Sequence, residues 1–382
     1  MNAPPGRIVF ANQLRGVAAI SVAISHLVAV FWLLRPAVSD ATLTPPQQGP
    51  ADALLGLVLH PWFNFGQFGV GLFFLISGLV IPISLQAHPR GGFLLARALR
   101  IYPTYVAALL VEIAVIQANA LHWGRHFPYG AWTIASNLLL IQDLVGRPSM
   151  DFVNWTLCIE LRFYLVMALI AGAVRRGSVL ALAGIALAAV AVNVAASAGL
   201  LGPPEADASV PAYAVGTDAL FVAFMLLGVL FNYHLRGLLG AAGLALGLGV
   251  VGALFLLCWR ESLFGTYSAY LLRTYGCAFA IFAGLYALRR WVPDNRVLDA
   301  MAAISFPFYL VHSLVGYSVL KLLMLSWGWG YRPALAVAVA VAVLLAAGLH
   351  VAVERPTIRM GRALGRLAGA VPRVTAAAPR RA

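Results

Sequence analysis

Ten apolar stretches, each close to the length of a bilayer crossing, recur between residues 8 and 354 and restrict what this chain can become. About 20 apolar residues in a helix span the hydrocarbon core. In lipid the backbone must satisfy its own hydrogen bonds, so such runs read as helices. The pattern predicts spans at 8–34, 64–86, 93–117, 150–174, 178–200, 213–235, 238–258, 267–289, 300–325 and 332–354. The 382 residues are 62% hydrophobic and 10% charged, whereas a soluble domain carries about 25% charged residues. The expected fold is an all-α integral membrane protein, with about ten transmembrane helices in one bundle over 1–360 and a basic tail over 361–382. The stretch 131–144 is amphipathic and too short to span, which predicts an interfacial or re-entrant helix. No internal repeat stands out, so nothing points to the duplicated halves of many transporters.

The net charge of +13 would suit nucleic acid, but its distribution argues for a membrane. With the N-terminus inside, 17 of the 26 Lys and Arg fall in cytoplasmic segments, against 5 on the opposite side and 4 within spans. That excess follows the positive-inside rule and places both termini in the cytoplasm. The basic run from Arg355 onward then reads as a lipid-headgroup anchor. The N-terminus lacks a basic region followed by a short apolar core and a small-residue cleavage site, so the first helix is expected to be retained. Cys158, Cys258 and Cys277 lie in apolar segments without metal-ligand spacing and read as small core residues. No metal is expected.

Ionisable side chains inside these spans are costly and usually face an internal site. Arg15 and His26 are eleven residues apart, close to three helical turns, so they share a face and lie roughly 16 Å apart along the axis. Either they line a buried reaction path, or Arg15 snorkels to the interface and His26 is a satisfied core histidine. Gly16 and the neighbouring alanines allow another helix to approach and exclude lipid from Arg15. The segment Phe68–Leu79 carries Gly71, Ser77 and Gly78, small positions suited to helix packing.

Arg97 and Arg100 share a helical face at the expected cytoplasmic surface. Paired guanidinium groups bind phosphate in a fork geometry, although plain topology-setting charges explain them equally. Further on, Thr156, Glu160 and Tyr164 follow four-residue spacing along one stripe. Helix rise puts Glu160 roughly 15 Å and His26 roughly 12 Å below the outer surface, so the two could meet. The competing reading pairs Glu160 with Arg162 as structural glue. Ser305 and His312 share a face two turns apart, with His312 readable as a hydrogen-bonded structural group. Glu112 and Asp218 sit in no recognisable context.

Taken together, these blocks resemble the acyltransferase 3 family of integral membrane acyltransferases. The resemblance rests on Leu14-Arg15-Gly16 with His26, on Gly69-Val70-Gly71-Leu72-Phe73-Phe74 through Ser77-Gly78, and on Arg97 to Pro103. It continues with Trp155-Thr156-Leu157, Glu160 and Phe163-Tyr164, and with Ser305 through Tyr309-Leu310-Val311-His312. It implies transfer of an acyl group, often acetyl, from a cytoplasmic acyl-CoA to a hydroxyl of a carbohydrate or glycolipid acceptor. It also implies a stand-alone form without the hydrolase-like domain fused to some relatives. Asn12-Gln13 departs from the charged or aromatic residues that relatives often carry there.

The resemblance implies that Arg15, His26 and Glu160 are catalytic and that Arg97, Arg100 and Arg15 bind the donor. Trp155, Tyr164, Ser305 and His312 are the expected acceptor-binding positions. An imidazole suits the general base, here His26, with Glu160 as the carboxylate that orients it; transient acylation of His26 itself fits the same residues. High Ala, Arg and Gly content suggests a bacterial cytoplasmic membrane. Two rivals stand beside this reading. A proton-coupled transporter or flippase would use Arg15, Glu160 and His26 as a relay, but would not need a phosphate site at the inner mouth. A glycosyltransferase would use Asp143 and Asp151, which form no paired-carboxylate motif.

Overall fold

The computed structural model describes residues 8–204 and 210–367, and the fold is a bundle of helices. In chain order the main helices are α1 (Val9–Leu33), α2 (Phe65–Ala87), α3 (Arg90–His122), α4 (Asn154–Leu169), α5 (Val179–Ser197) and α6 (Pro211–Leu235). Then follow α7 (Ala241–Glu261), α8 (Leu271–Ala287), α9 (Arg296–Val311), α10 (Leu314–Ser326) and α11 (Tyr331–Gly361). Among the described residues, seven of these are long and apolar enough to cross a membrane, or eight if the bent pair α9–α10 is one span. The other two expected spans are shorter. Helix α8 has 17 residues, and α4 has 16 before the chain breaks at Ile170 into Ala171–Arg176.

Three local features differ from the sequence expectation. The span expected at 300–325 is broken by a 68° bend between α9 and α10, with His312 and Ser313 at the break. The amphipathic segment at 131–144 is helical only over Ala131–Leu138 and continues as turns. Cys158 and Cys258 are buried, as expected, but Cys277 is exposed, because it lies on the outward face of the short α8. The tail expected over 361–382 is described only to Leu367, at the end of a helix that begins at Arg355; residues 368–382 lie outside the described part.

Helix α1 packs between α2 and α9, and α2 also packs on α6. Small residues permit this closeness. A Cβ on Gly16 would stand 2.6 Å from the Leu298 carbonyl oxygen, and one on Gly69 2.6 Å from that of Ala18. Among spans, α6 is the most enclosed, while α7 and α11 leave most of their apolar surface outward, as lipid-facing helices do. Local sequence sets the helix starts. Asn64 caps α2 by accepting from Gln67 N, and Asn295 caps α9 by accepting from Val297 N and Leu298 N; such caps satisfy amides that a helix start leaves unpaired. Asn12 and Gln13 reach the same region: Asn12 Nδ2 donates to Asp299 Oδ1 (2.9 Å) and Gln13 Nε2 to the Pro293 carbonyl (2.5 Å). The unusual pair at the start of α1 therefore ties it to α9.

Helix α4 is held rotationally. Arg162 donates to both oxygens of Asp143 at 2.7 Å and pairs with Asp218 of α6 at 2.5 Å. Two carboxylates around one guanidinium neutralise a charge that would be costly at this depth. Glu160 is two positions earlier, roughly 200° around the helix at 3.6 residues per turn, so pinning Arg162 turns Glu160 the other way, toward α2. The start of α4 is fixed too: Asp151 Oδ1 accepts from Val153 N and Asn154 N at 2.9 and 2.8 Å.

Candidate active site

A cavity of about 250 Å³ lies where α1, α2, α3, α4 and α9 converge. Its polar walls are Arg15 of α1, Ser77 of α2, Arg97 and Arg100 of α3, Thr156, Glu160 and Tyr164 of α4, and Ser305 and Tyr309 of α9. Phe73, Phe74, Ile76, Val80 and Phe306 are among the residues closing the rest. All five sequence blocks, distant along the chain, contribute to this one space.

Glu160 Oε1 accepts from the Tyr164 hydroxyl at 2.6 Å and from Ser77 Oγ at 3.2 Å. Arg97 donates to Ser84 Oγ at 2.8 Å, and its guanidinium carbon lies 5.9 Å from the centre of the Tyr164 ring. Its Nε is buried without a hydrogen-bond partner. Among the described residues, neither Arg15 nor Arg100 makes a side-chain hydrogen bond or ion pair. Three guanidinium groups thus face one carboxylate in an apolar surround. A charge removed from water needs a partner, so the space is electrostatically suited to an anion, and the fork of each guanidinium suits phosphate oxygens.

The expected contact between His26 and Glu160 does not form. Equal depth gives only one coordinate, and the Arg162 pairs rotate Glu160 toward Ser77 and the arginines. His26 is the second residue of a π-helical turn, Ser25–Val30, within α1; such bulges frequently mark functional sites. Its ring lies 5.0 Å from that of His312, 6.3 Å from Phe152 and 6.3 Å from Tyr317, centre to centre. His312 is fully buried. The two histidines therefore form a group of their own, beside the cavity rather than lining it.

Tyr309 joins the two places. Its ring lines the cavity, its hydroxyl is 2.7 Å from Thr156 Oγ1, and its ring centre is 5.9 Å from that of His312. Ser305 lines the cavity, with its hydroxyl donating to the Ala302 carbonyl at 2.8 Å. Trp155 does not line it; its ring packs on Phe221 of α6 at 5.9 Å. The alternative pairing of Glu160 with Arg162 is not seen, since Arg162 takes Asp143 and Asp218. Sequence reasoning missed Ser84, Tyr309 and the polar role of Ser77. Ser77 carried the weakest signal, because a serine among glycines reads as a packing position. Ser84 sits thirteen residues before Arg97, across the turn at Pro89, where no periodicity links them. Tyr309 had been visible only as part of an aromatic block.

No solved structure matches the chain. A 129-residue stretch is 26% identical to Nodulation protein 10 of Rhizobium leguminosarum bv. viciae, covering 28% of this chain and 33% of that protein. The match thus spans about a third of that curated relative. The sequence pattern of the acyltransferase 3 family, an acyltransferase domain, matches residues 8–351, which include every wall of the cavity and both histidines. This multi-pass membrane protein belongs to the acyltransferase 3 family.

Proposed function

We propose that the chain is a membrane O-acyltransferase, acting over 1–360 as one domain, that uses a cytoplasmic acyl-CoA, acetyl-CoA first among the donors. The acceptor is a hydroxyl of a carbohydrate or glycolipid on the far side of a bacterial cytoplasmic membrane. The observation that carries this reading is the excess of guanidinium over carboxylate in the cavity, with Arg15, Arg97 and Arg100 on one space. A family of acyltransferases requires an acyl donor, and the phosphates of coenzyme A supply the anion that such a space favours. Glu160, held by Tyr164 and Ser77, limits the net charge and spaces the arginines around it.

In this reading Arg97 and Arg100 hold the donor phosphates, and Arg15 lines the path of the acyl arm toward His26. His26 takes the proton from the acceptor hydroxyl as its oxygen attacks the thioester carbonyl. The C–S bond then breaks, the ester is left on the acceptor, and the departing thiolate takes the proton from the imidazolium. Ser305 and Tyr164 contact substrate from the cavity wall, whereas Trp155 supports the wall through Phe221.

The test uses purified protein in lipid vesicles with radiolabelled acetyl-CoA and a glycan extract of bacterial membranes. Label should pass to the glycan fraction with wild type and not with His26→Ala. Equal transfer by both would refute the assignment of the base.

A further inference from the structure

The cavity has a direction. Thr156, Glu160 and Tyr164 of α4 all line it, and the eight residues from the first to the last rise roughly 12 Å. One end is cationic. The Arg97 guanidinium lies against the Tyr164 ring, and Arg15 adjoins Gly16, which meets α9 at Leu298. Leu298 precedes Tyr309 by eleven residues, about 16 Å of helix. The other end is aromatic. There Tyr309 stands beside Thr156, edge to face with the ring of Phe73 at 5.7 Å. Midway, Ser77 of α2 bonds to Glu160 of α4, so the two helices keep the same order along the cavity.

The Tyr309 side chain is fixed along its length. Its hydroxyl is 2.7 Å from Thr156 Oγ1, and Thr156 Oγ1 in turn donates to the Val153 carbonyl at 3.0 Å. Its ring packs between Phe73 on one side and His312, 5.9 Å away, on the other. Swinging the ring aside would leave a buried hydroxyl unpaired, which is costly. Among the described residues, no other wall of the cavity has a ring contact with His312 or His26. Tyr309 is therefore the partition between the cavity and the histidines. The space it closes is about 250 Å³, below the roughly 300–1,000 Å³ of pockets that enclose drug-sized ligands. Such a volume takes a slim arm and a small terminal group.

We infer that Tyr309 is a specificity-determining residue for the donor: its ring ends the acyl pocket and confines the protein to short acyl groups, acetyl foremost. This rests on the acyl-CoA donor of the proposed function and names which acyl groups that donor carries. With the phosphates at the arginines, the arm runs along the Tyr164–Glu160–Thr156 stripe and the acyl methyl comes to rest against Tyr309. The thioester carbonyl then stands one ring away from the histidines. A longer chain meets the same ring and leaves its carbonyl back toward Glu160. Phe73, Phe74 and Phe306 give the alkyl group an apolar surround.

Acyl length is read by displacement of radiolabelled acetyl-CoA from the protein in lipid nanodiscs, with unlabelled acetyl-, butyryl- and hexanoyl-CoA as competitors. This measurement needs no acceptor. Hexanoyl-CoA should compete at least about tenfold less well than acetyl-CoA with wild type, since even one ill-fitting methylene discriminates by that much. Tyr309→Ala should erase or reverse the difference, because the freed space accepts the chain, while acetyl-CoA binding changes little. Tyr309→Leu should move the ratio in the same direction and serves where the Ala variant does not fold. Tyr309→Phe keeps the ring and should keep the preference. A purely structural role for Tyr309 would weaken all three donors together and leave their ratio unmoved. An unchanged ratio in the Ala and Leu variants, or a wild type that treats the three donors alike, overturns the inference and leaves the donor reading intact. A wild type that binds no acetyl-CoA defeats the donor reading and the inference with it.

Discussion

The Tyr164 hydroxyl donates to Glu160 across 2.6 Å, one turn along the same helix, while the ring of that tyrosine lies beneath the Arg97 guanidinium. One side chain thus fixes both the carboxylate and one of the cations of the cavity. Tyr164→Phe keeps the ring and removes only the donor to Glu160. A hydrogen bond to a charged group contributes about 1.5–3 kcal/mol, so kcat/KM should fall by about tenfold or more without loss of folded protein. Steady-state kinetics beside a thermal melt in detergent separates the two effects.

Arg100 makes no side-chain hydrogen bond or ion pair among the described residues, so its role should be confined to ligand. Arg100→Ala is expected to raise donor KM by about 10- to 100-fold, the equivalent of one charge-assisted bond, with kcat recovered at saturating donor. Arg100→Lys should recover only part, since an ammonium lacks the fork. A change confined to kcat would count against a binding role.

Arg162 tests stability rather than chemistry. Arg162→Ala strands the carboxylates of Asp143 and Asp218, and breaking a buried pair from one side costs about 3–5 kcal/mol. The variant should melt well below wild type, and adding Asp143→Asn with Asp218→Asn should restore part of the loss. Because these pairs set the rotation of α4, residual activity in Arg162→Ala should also show a raised donor KM.

Gly16 sits where α1 meets the backbone of α9, with no room for a Cβ beside the Leu298 carbonyl. Gly16→Val must push the two helices apart, costing about 1–3 kcal/mol as overpacking does, and it carries the adjacent Arg15 with it. Lower thermal stability together with weakened donor binding is the expected result. Gly249→Val is the control, because nothing lies within 4 Å of that position.

Much of this site was legible in the sequence for one physical reason: an arginine or glutamate in an apolar run must face an interior. That principle gathered Arg15 and Glu160, the shared helical face of Arg97 and Arg100 marked them as a pair, and the structure places all four on one cavity. It could not give rotation about a helix axis. Glu160 and His26 were expected at similar depth yet face different partners, because Arg162 chooses the rotation of α4 through residues 19 positions before it and 56 after it. The break at His312 was equally hidden, since the only proline nearby, Pro307, lies inside α9 and the run 300–325, with few polar residues, reads as one span. Helix length was hidden too: α4 and α8 are shorter than the apolar runs that contain them.

The central claim, that the arginines form the phosphate site of the donor, is tested most directly by competition with adenosine 3′,5′-bisphosphate, the nucleotide part of coenzyme A without the acyl arm. Displacement of labelled acetyl-CoA from the protein in lipid nanodiscs should be clear for wild type. It should weaken by about 100-fold when Arg97 and Arg100 are both replaced by Ala, as loss of two charge-assisted contacts implies. Undiminished displacement in the double variant would contradict the account.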